Sequence, residues 1–352
     1  MTEDFTGILN CPVPITNHKT VQLGHGSGGK MSHELLEKLF LPRFGNEVLN
    51  KLGDQAELTL TGGRVAFSTD SFVVDPLFFP GGNIGDLAVN GTINDLAVGG
   101  AEPKYLSVGF IIEEGFPIED LHRILLSMEV AAKKAGVSVV TGDTKVVNKG
   151  SADKVFINTT GLGVIPEGID FSPANIQVGD KVIVSGCIGD HGITILASRE
   201  GLALESEIQT DSAALNGLVK QMTENRAKGI RVMRDPTRGG VATTLNEFAN
   251  AARKRIRLFS DALPLRPEVE SACEILGLDP LYVANEGKLL VVVDASETDS
   301  LLNLMREHEL GKDAAIIGEV TDGDDGRVTM TTGLGAETVI DMLPGEQLPR
   351  IC

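Results

Sequence analysis

The sequence predicts an α/β protein built as two domains, and three features carry that reading. The chain has 352 residues, more than the roughly 250–300 at which a single hydrophobic core stops growing. Apolar runs with strand character alternate with stretches of helical spacing. The breaker-rich segment PEGIDFSPANIQVGD (166–180) then interrupts any regular element before the alternation resumes. The expected division is a leader (1–20), a first domain (21–168), a second domain (169–342) and a flexible tail (343–352).

In the first domain, SHELLEKLF (32–40), GDLAVNGTINDLAVG (85–99) and IEDLHRILLSMEVAAKKAG (118–136) have helical spacing, and the last closes on Gly136 as a C-cap would. Strands are expected at RVAFSTDSFVV (64–74), PKYLSVGFII (103–112), VSVVTGDTKVV (137–147) and VFINTTGLGVI (155–165). In the second domain the strands are KVIVSGCIG (181–189), RIRLFSD (255–261), KLLVVVD (288–294) and AAIIGEV (314–320). Helices are expected around GITILASREG (192–201), SAALNGLVKQM (212–222) and GVATTLNEFANAARK (240–254).

Composition excludes several functions. A net charge of −18 argues against nucleic acid, which needs a basic face to replace counterions. With no Trp and two Tyr there is little for bases or sugars to stack on. The start, MTEDFTGILN, lacks the basic and apolar regions of a secretory signal, and no run approaches the roughly 18 apolar residues of a membrane span. Cys11, Cys187, Cys273 and Cys352 are scattered without a CxxC pair, which fits reduced thiols, so a cytoplasmic location is expected.

The chemistry lies in glycines and carboxylates. GHGSGGK ends in Gly26, Ser27, Gly28, Gly29 and Lys30, a loop whose amides suit a phosphate with Lys30 as a point charge; it lacks Walker A spacing and serves equally as a plain loop. Asp54, Asp70, Asp95 and Asp143 sit at element ends or beside apolar runs, where an ionised carboxylate needs a partner or a cation. Together they suit a magnesium and nucleotide site, while each alone also reads as a turn or N-cap. Asp86, Asn90 and Asn94 recur every four residues along one helical face, and Asp95 falls on the neighbouring Leu87/Gly91 stripe, where a ligand, a partner or a core hydrogen bond would account for it. RDPTRGGVATTLNE (234–247) is a basic, glycine-rich turn opening a helix, with Thr237 or a neighbour as the expected cap and free amides suited to an anion. In ANEGK, Glu286 stands beside apolar LLVVV, where desolvation raises a carboxyl pKa. The histidines show no ligand spacing; only His25, in the glycine loop, draws notice.

These segments, HGSGGK, STDSFVVDPLFFPGGNIGDLAVNGTINDLAVGGAEP, GDTKVV, RDPTRGG, ANEGK and the terminal PRIC, together resemble the HypE family of hydrogenase maturation factors, carbamoyl dehydratases of the AIR synthase-like (PurM-like) superfamily. The resemblance runs in order from about Val21 to Cys352. It implies a two-domain fold whose first domain gives strands to a β-barrel shared by a homodimer, with a C-terminal α/β sandwich. It also implies that Cys352 carries a carbamoyl group loaded by the carbamoyltransferase HypF. ATP then drives its dehydration to a thiocyanate, whose cyano group passes to iron on a HypC–HypD complex.

By the same resemblance, Asp54, Asp70, Asp95, Asp143 and Asp235 hold Mg²⁺, and Gly26 to Lys30, Asn94 and Thr144 contact ATP. Lys145 and Glu286 are the pair that activates the carboxamide. The ten residues of the tail span roughly 33–36 Å when extended, enough to carry Cys352 between a loading partner and an internal site. Two other readings share these motifs: a sister enzyme acting on a free small molecule, such as selenophosphate synthetase or thiamin monophosphate kinase, and a non-catalytic tail docked by a partner.

Overall fold

The computed structural model describes residues 18–26, 30–51, 58, 60, 63–200, 208–226, 229–323, 325–332, 335–342 and 350–352. Ser27, Gly28, Gly29, Asp54, most of the leader with Cys11, and tail residues 343–349 lie outside them.

The first domain opens with a bent helix, α1 (Lys30–Leu35), a π turn (Leu36–Phe40) and α2 (Leu41–Phe44). Then follow β1 (Arg64–Phe72), the short pair β2 (Phe78–Phe79) and β3 (Gly82–Asn83), α3 (Ile84–Val98), β4 (Glu102–Glu113), α4 (Ile118–Ala135), β5 (Ser138–Val147) and β6 (Val155–Ile165). The main sheet runs β1-β6-β4-β5, antiparallel except for β4 beside β5. The crossover between that parallel pair is α4, which ends on Gly136 at φ 70°, its amide bonded back to the last turn.

One face of this sheet is covered by α3 and α4. Among the described residues nothing covers the other, and alternation along the strands puts Val65, Phe67 and Ile111 on it, with Phe67 71% exposed. α3 is buried nearly all round because it lies between the sheet and the second domain. It starts on a reciprocal cap: the Asn83 side chain accepts from Gly85 N–H at 2.8 Å, and Asp86 Oδ1 accepts from Asn83 N–H at 2.7 Å. At Gly91 a Cβ would stand 2.9 Å from the Phe72 ring, so only glycine lets α3 and β1 approach this closely.

The second domain comprises β7 (Lys181–Val184), α5 (Asp190–Glu200), α6 (Asn216–Arg226), β8 (Ile230–Arg234), α7 (Gly240–Ala252), β9 (Arg255–Phe259), α8 (Pro267–Leu276), β10 (Leu290–Val293), α9 (Thr298–Arg306), β11 (Ala315–Thr321), β12 (Val328–Thr331) and β13 (Glu337–Ile340). Its seven-stranded sheet runs β13-β12-β9-β11-β7-β10-β8. Both faces are covered: Val182, Val184, Leu290 and Val292 enter one core, Ile183, Val291 and Val293 the other. That is why these strands read as unbroken apolar runs rather than alternating ones.

The expected strands and helices are present, and the elements added to them are α2, the β2–β3 pair, β8, α8, α9 and the β12–β13 hairpin. α7 departs from expectation at its start. Its N-cap is Gly239, the glycine two residues beyond Thr237, at φ 75° and without a side-chain cap, while the Thr237 backbone forms the preceding turn. The first amides of α7 therefore have no capping side chain. Among the described residues no helix is long and apolar enough to cross a membrane.

Burial raises the Asp86 pKa to about 7, opposed by the Asn83 amide and Ser212. The unfolded chain releases that proton near pH 4, so the folded state binds more protons between about pH 4 and 7 and loses stability as pH rises through that window. Asp86→Asn keeps an acceptor for Asn83 and should flatten this slope in thermal midpoints measured without ligand. An unchanged slope would place the titration elsewhere.

Candidate active site

Four carboxyls gather where α3, β1 and the second domain meet. Alternation along β1 turns Ser68 and Asp70 toward α3, and Ser68 Oγ donates to Asp95 Oδ2 at 2.8 Å. Asp70 Oδ1 accepts the Ser71 N–H at 2.8 Å, and its other oxygen faces Gly91. The second domain brings Asp235 from the end of β8 and Glu286 from the loop ahead of β10.

Glu286 is held by its backbone. Its carbonyl accepts from Asn94 Nδ2 at 3.1 Å, and its N–H donates to Asp211 Oδ1 at 3.0 Å. Its side chain is 2% exposed, and Oε1 has no hydrogen-bond partner. Asn285 ties the neighbouring loops to the same point, donating to Pro236 C=O at 2.9 Å and accepting from Gly189 N–H at 2.8 Å.

These groups push one another toward protonation. Burial first, then Asp95 and Asp70, raise the Asp235 pKa to about 7. Burial and the charges of Asp235, Asp211, Asp70 and Asp95 raise Glu286 well above the carboxylate range. Asp70 and Asp95 are raised mainly by lost hydration, with Arg238 moderating the first and Ser68 and Arg234 the second. Asp211 behaves oppositely. Burial would raise it, but Lys288, 3.1 Å from Oδ2, His191 and the Glu286 N–H outweigh that and keep it ionised. The cluster is rich in oxygen donors and short of positive charge. Among the described residues no three His, Cys, Asp or Glu side chains converge closely enough to hold an ion alone. A cation here would share its coordination with a ligand.

The remaining expected residues fall elsewhere. Asp143 and Lys145 form a 2.9 Å ion pair on exposed β5, with Thr144 N–H bonded to Asp143 Oδ1. The sheet order places β5 three strand spacings, roughly 14 Å, from β1. One chain thus does not bring Lys145 to Glu286 or Asp143 to Asp70. Thr144 and Lys145 instead border a cavity of about 350 Å³ with His25, Leu36, Phe40 and Phe44, next to Gly26 and the start of α1 at Lys30. Asn94 is buried and committed: it donates to Ala213 C=O at 3.0 Å and to Glu286 C=O, and accepts from Leu215 N–H at 2.8 Å. It positions Glu286 and has no hydrogen left for a nucleotide.

The chain end is seated. Ile351 is 2% exposed in the first domain's core, and Cys352 packs half-buried against it. Val73 N–H donates to Cys352 C=O at 3.0 Å, and His191 Nε2 lies 2.8 Å from Ile351 C=O. His191 is followed by Thr210 at 2.7 Å, then Asp211, then Glu286, so a bonded path links the terminus to the carboxyl cluster.

Residues 53–165 and 177–331 match the models for the AIR synthase related protein N-terminal and C-terminal domains. The "Carbamoyl dehydratase HypE" of Bradyrhizobium diazoefficiens is 52% identical over 332 residues, 94% of this chain and 96% of that protein. The chain belongs to the HypE family of carbamoyl dehydratases. A crystal structure of the hydrogenase maturation protein HypE in complex with ATP superposes with a TM-score of 0.91 at 48% identity, covering 95% of this chain and all of that one. A chain in a crystal structure of a HypE–HypF complex superposes at 0.77, again 48% identical, over 88% of this chain and 99% of that one.

Sequence reasoning did not single out Asp211, Lys288, His191 or Arg199. Lys288 was within reach, two residues beyond Glu286 in the same motif; His191 has no spacing signal, because its partners come from Thr210 and the chain end. Asp235→Asn removes one of the mutually repelling acids. It should raise the ligand-free thermal midpoint at about pH 8 while weakening magnesium-dependent nucleotide binding roughly tenfold, the worth of about 1.4 kcal/mol. Unchanged affinity would remove Asp235 from the nucleotide site.

Proposed function

We propose that the chain uses ATP to dehydrate a carbamoyl group on the Cys352 sulfur, making the thiocyanate from which a nickel–iron hydrogenase obtains its cyanide ligand. The observation that carries this reading is the terminus, seated in the first-domain core and bonded through His191 toward the Glu286 cluster. A carboxamide oxygen leaves poorly. Phosphorylating it turns it into phosphate, and the thiocarboxamide plus ATP gives thiocyanate, ADP, phosphate and a proton. Both N–H protons must go, and buried Glu286, with an unbonded oxygen, is the base we assign to that step.

The ATP base fits the apolar cavity beside Gly26 and Thr144, and the phosphates would lie toward Arg238 and the uncapped amides of α7. Mg²⁺, held between those phosphates and Asp70, Asp95 or Asp235, would supply the positive charge that lets the neighbouring carboxyls ionise.

The roles of Asp143 and Lys145 follow if two copies associate. Among the described residues, Val65, Phe67 and Ile111 leave an apolar face open and β1 and β5 are unpaired edges; a barrel closed by a second copy would cover both. Pairing β1 with the other copy's β5 would bring Lys145 and Asp143 to the Asp70 side. HypF is the proposed loader, supported by the relative crystallised with it, and a HypC–HypD complex the proposed acceptor.

Mass spectrometry of the C-terminal peptide tests the reaction. After loading, ATP should remove one water from the adduct; Cys352→Ala should take no adduct, and Glu286→Gln should keep it undehydrated. Full turnover in Cys352→Ala would end the carrier reading. Mixing Lys145→Ala with Glu286→Gln tests the shared site. Each is inactive alone, and random re-pairing gives half heterodimers with one intact site of two, about a quarter of wild-type activity. No recovery on mixing would return Lys145 to its own subunit's site.

A further inference from the structure

We propose that His191 and Arg199 are positioning residues that anchor the chain end by binding two successive backbone carbonyls, while the pocket of Ile351 sets its register. The role in turnover rests on Cys352 being the carrier; the seat itself does not.

Each of the last three carbonyls meets its own donor from the body of the protein. Arg199 Nη2 donates to Arg350 C=O, His191 Nε2 to Ile351 C=O at 2.8 Å, and Val73 N–H to Cys352 C=O at 3.0 Å. Asp75 N–H adds a 3.3 Å bond to Arg350 C=O, so the terminus lies antiparallel to residues 73–75. Arg199 joins the two segments, since its Nε donates to Asp75 C=O.

The His191 tautomer follows from its partners. A carbonyl only accepts, so Nε2 carries the proton and Nδ1 accepts from the Thr210 hydroxyl at 2.7 Å. That hydroxyl in turn accepts from Ser212 N–H at 3.1 Å, and the Phe79 ring stands edge-on at 5.7 Å. The ring is buried and held at every polar atom, a rigid donor aimed at the tail.

Side chains enforce the same register. Ile351 is buried in the core, whereas Arg350 pairs with Asp153 and donates to Val73 C=O at 3.0 Å. Ile351 and Arg350 thus occupy different surroundings, so a slip of one residue would push a guanidinium or the thiol into the pocket of Ile351. The backbone donors do not distinguish one residue from the next. The pocket does, and the two together leave one place for Cys352.

The test uses the full chain and three variants: His191→Leu, His191→Gln, whose amide keeps a donor near the Nε2 position, and Ile351→Ser, which lies in the tail and leaves both domain cores otherwise intact. The first readout is iodoacetamide alkylation of Cys352, followed by the mass of the C-terminal peptide without ATP or partner. Alkylation should be several-fold faster in His191→Leu and Ile351→Ser than in wild type, and close to wild type in His191→Gln. The second is ATP-dependent water loss from chain already carrying the carbamoyl group. The rate constant at saturating ATP should fall about tenfold or more in the first two variants, with KM for ATP unchanged and rescue in His191→Gln. Wild-type alkylation rates in both His191→Leu and Ile351→Ser would overturn the seat. Faster alkylation with unaltered water loss would overturn the positioning role. If wild type itself loses no water, the carrier reading falls and the role in turnover with it, while alkylation still decides whether the seat exists.

Discussion

Asn94 is the point on which the site turns. Its amide is shared between Ala213 and the carbonyl of Glu286, and its oxygen takes the Leu215 amide, so one buried side chain of the first domain fixes three backbone groups of the second. It is the last of three residues spaced by four. Asp86 and Asn90 both reach Ser212, and the stripe sews α3 to residues 212–215 along its length. Each buried polar group left without its partner would cost about 1–3 kcal/mol, so the domains cannot slide along α3 without breaking several contacts together. A hinge at this seam would scatter the carboxyls. Rigidity here is what lets acids from four separated stretches of chain keep one geometry.

That geometry is electrostatically unfinished. Asp235 and Glu286 hold protons that free carboxyls would have lost, because each is buried among others of the same sign. Asp211, with Lys288 beside it, shows what one cation does: it stays ionised at equal depth. The surplus of negative charge is a source of instability that a cation among these carboxyls would relieve, so binding there would be coupled to stability by the same charges. Arg234 and Arg238 stand at the edge of this field and moderate it without neutralising it.

Much of this was readable in the sequence where the signal was local. Alternation marked the strands of the first domain, and doubly buried strands announced themselves as continuous apolar runs. Glu286 beside LLVVV was legible as an acid of raised pKa, and burial does raise it. The sequence was ambiguous where one pattern has two physical causes. A polar stripe on an apolar helix signals a partner, but here the partner of Asn90 and Asn94 is the chain's own second domain. Chemistry asks for an acid and an ammonium near the carboxamide, and Lys145 and Glu286 satisfy that in composition, yet sheet order within one chain separates them. The β12–β13 hairpin escaped because its strands are four residues each, too short for a period to show. His191 escaped because nothing in its neighbourhood foretells a contact 160 positions away.

The seated terminus also sets a rate. At about 1 kcal/mol for one hydrogen bond to each of the last three residues, the tail would be biased toward its seat by roughly a hundredfold before the entropy of tethering is counted, which would leave about one molecule in a hundred unseated. A loading enzyme that needs a free thiol would see that minority, and its apparent affinity would be weaker by the same factor. Arg350, at φ 54°, works against the seat, since the left-handed backbone region disfavours a side chain. Relaxing that residue would deepen the seated state, so a small local strain sets how readily the chain end leaves its seat.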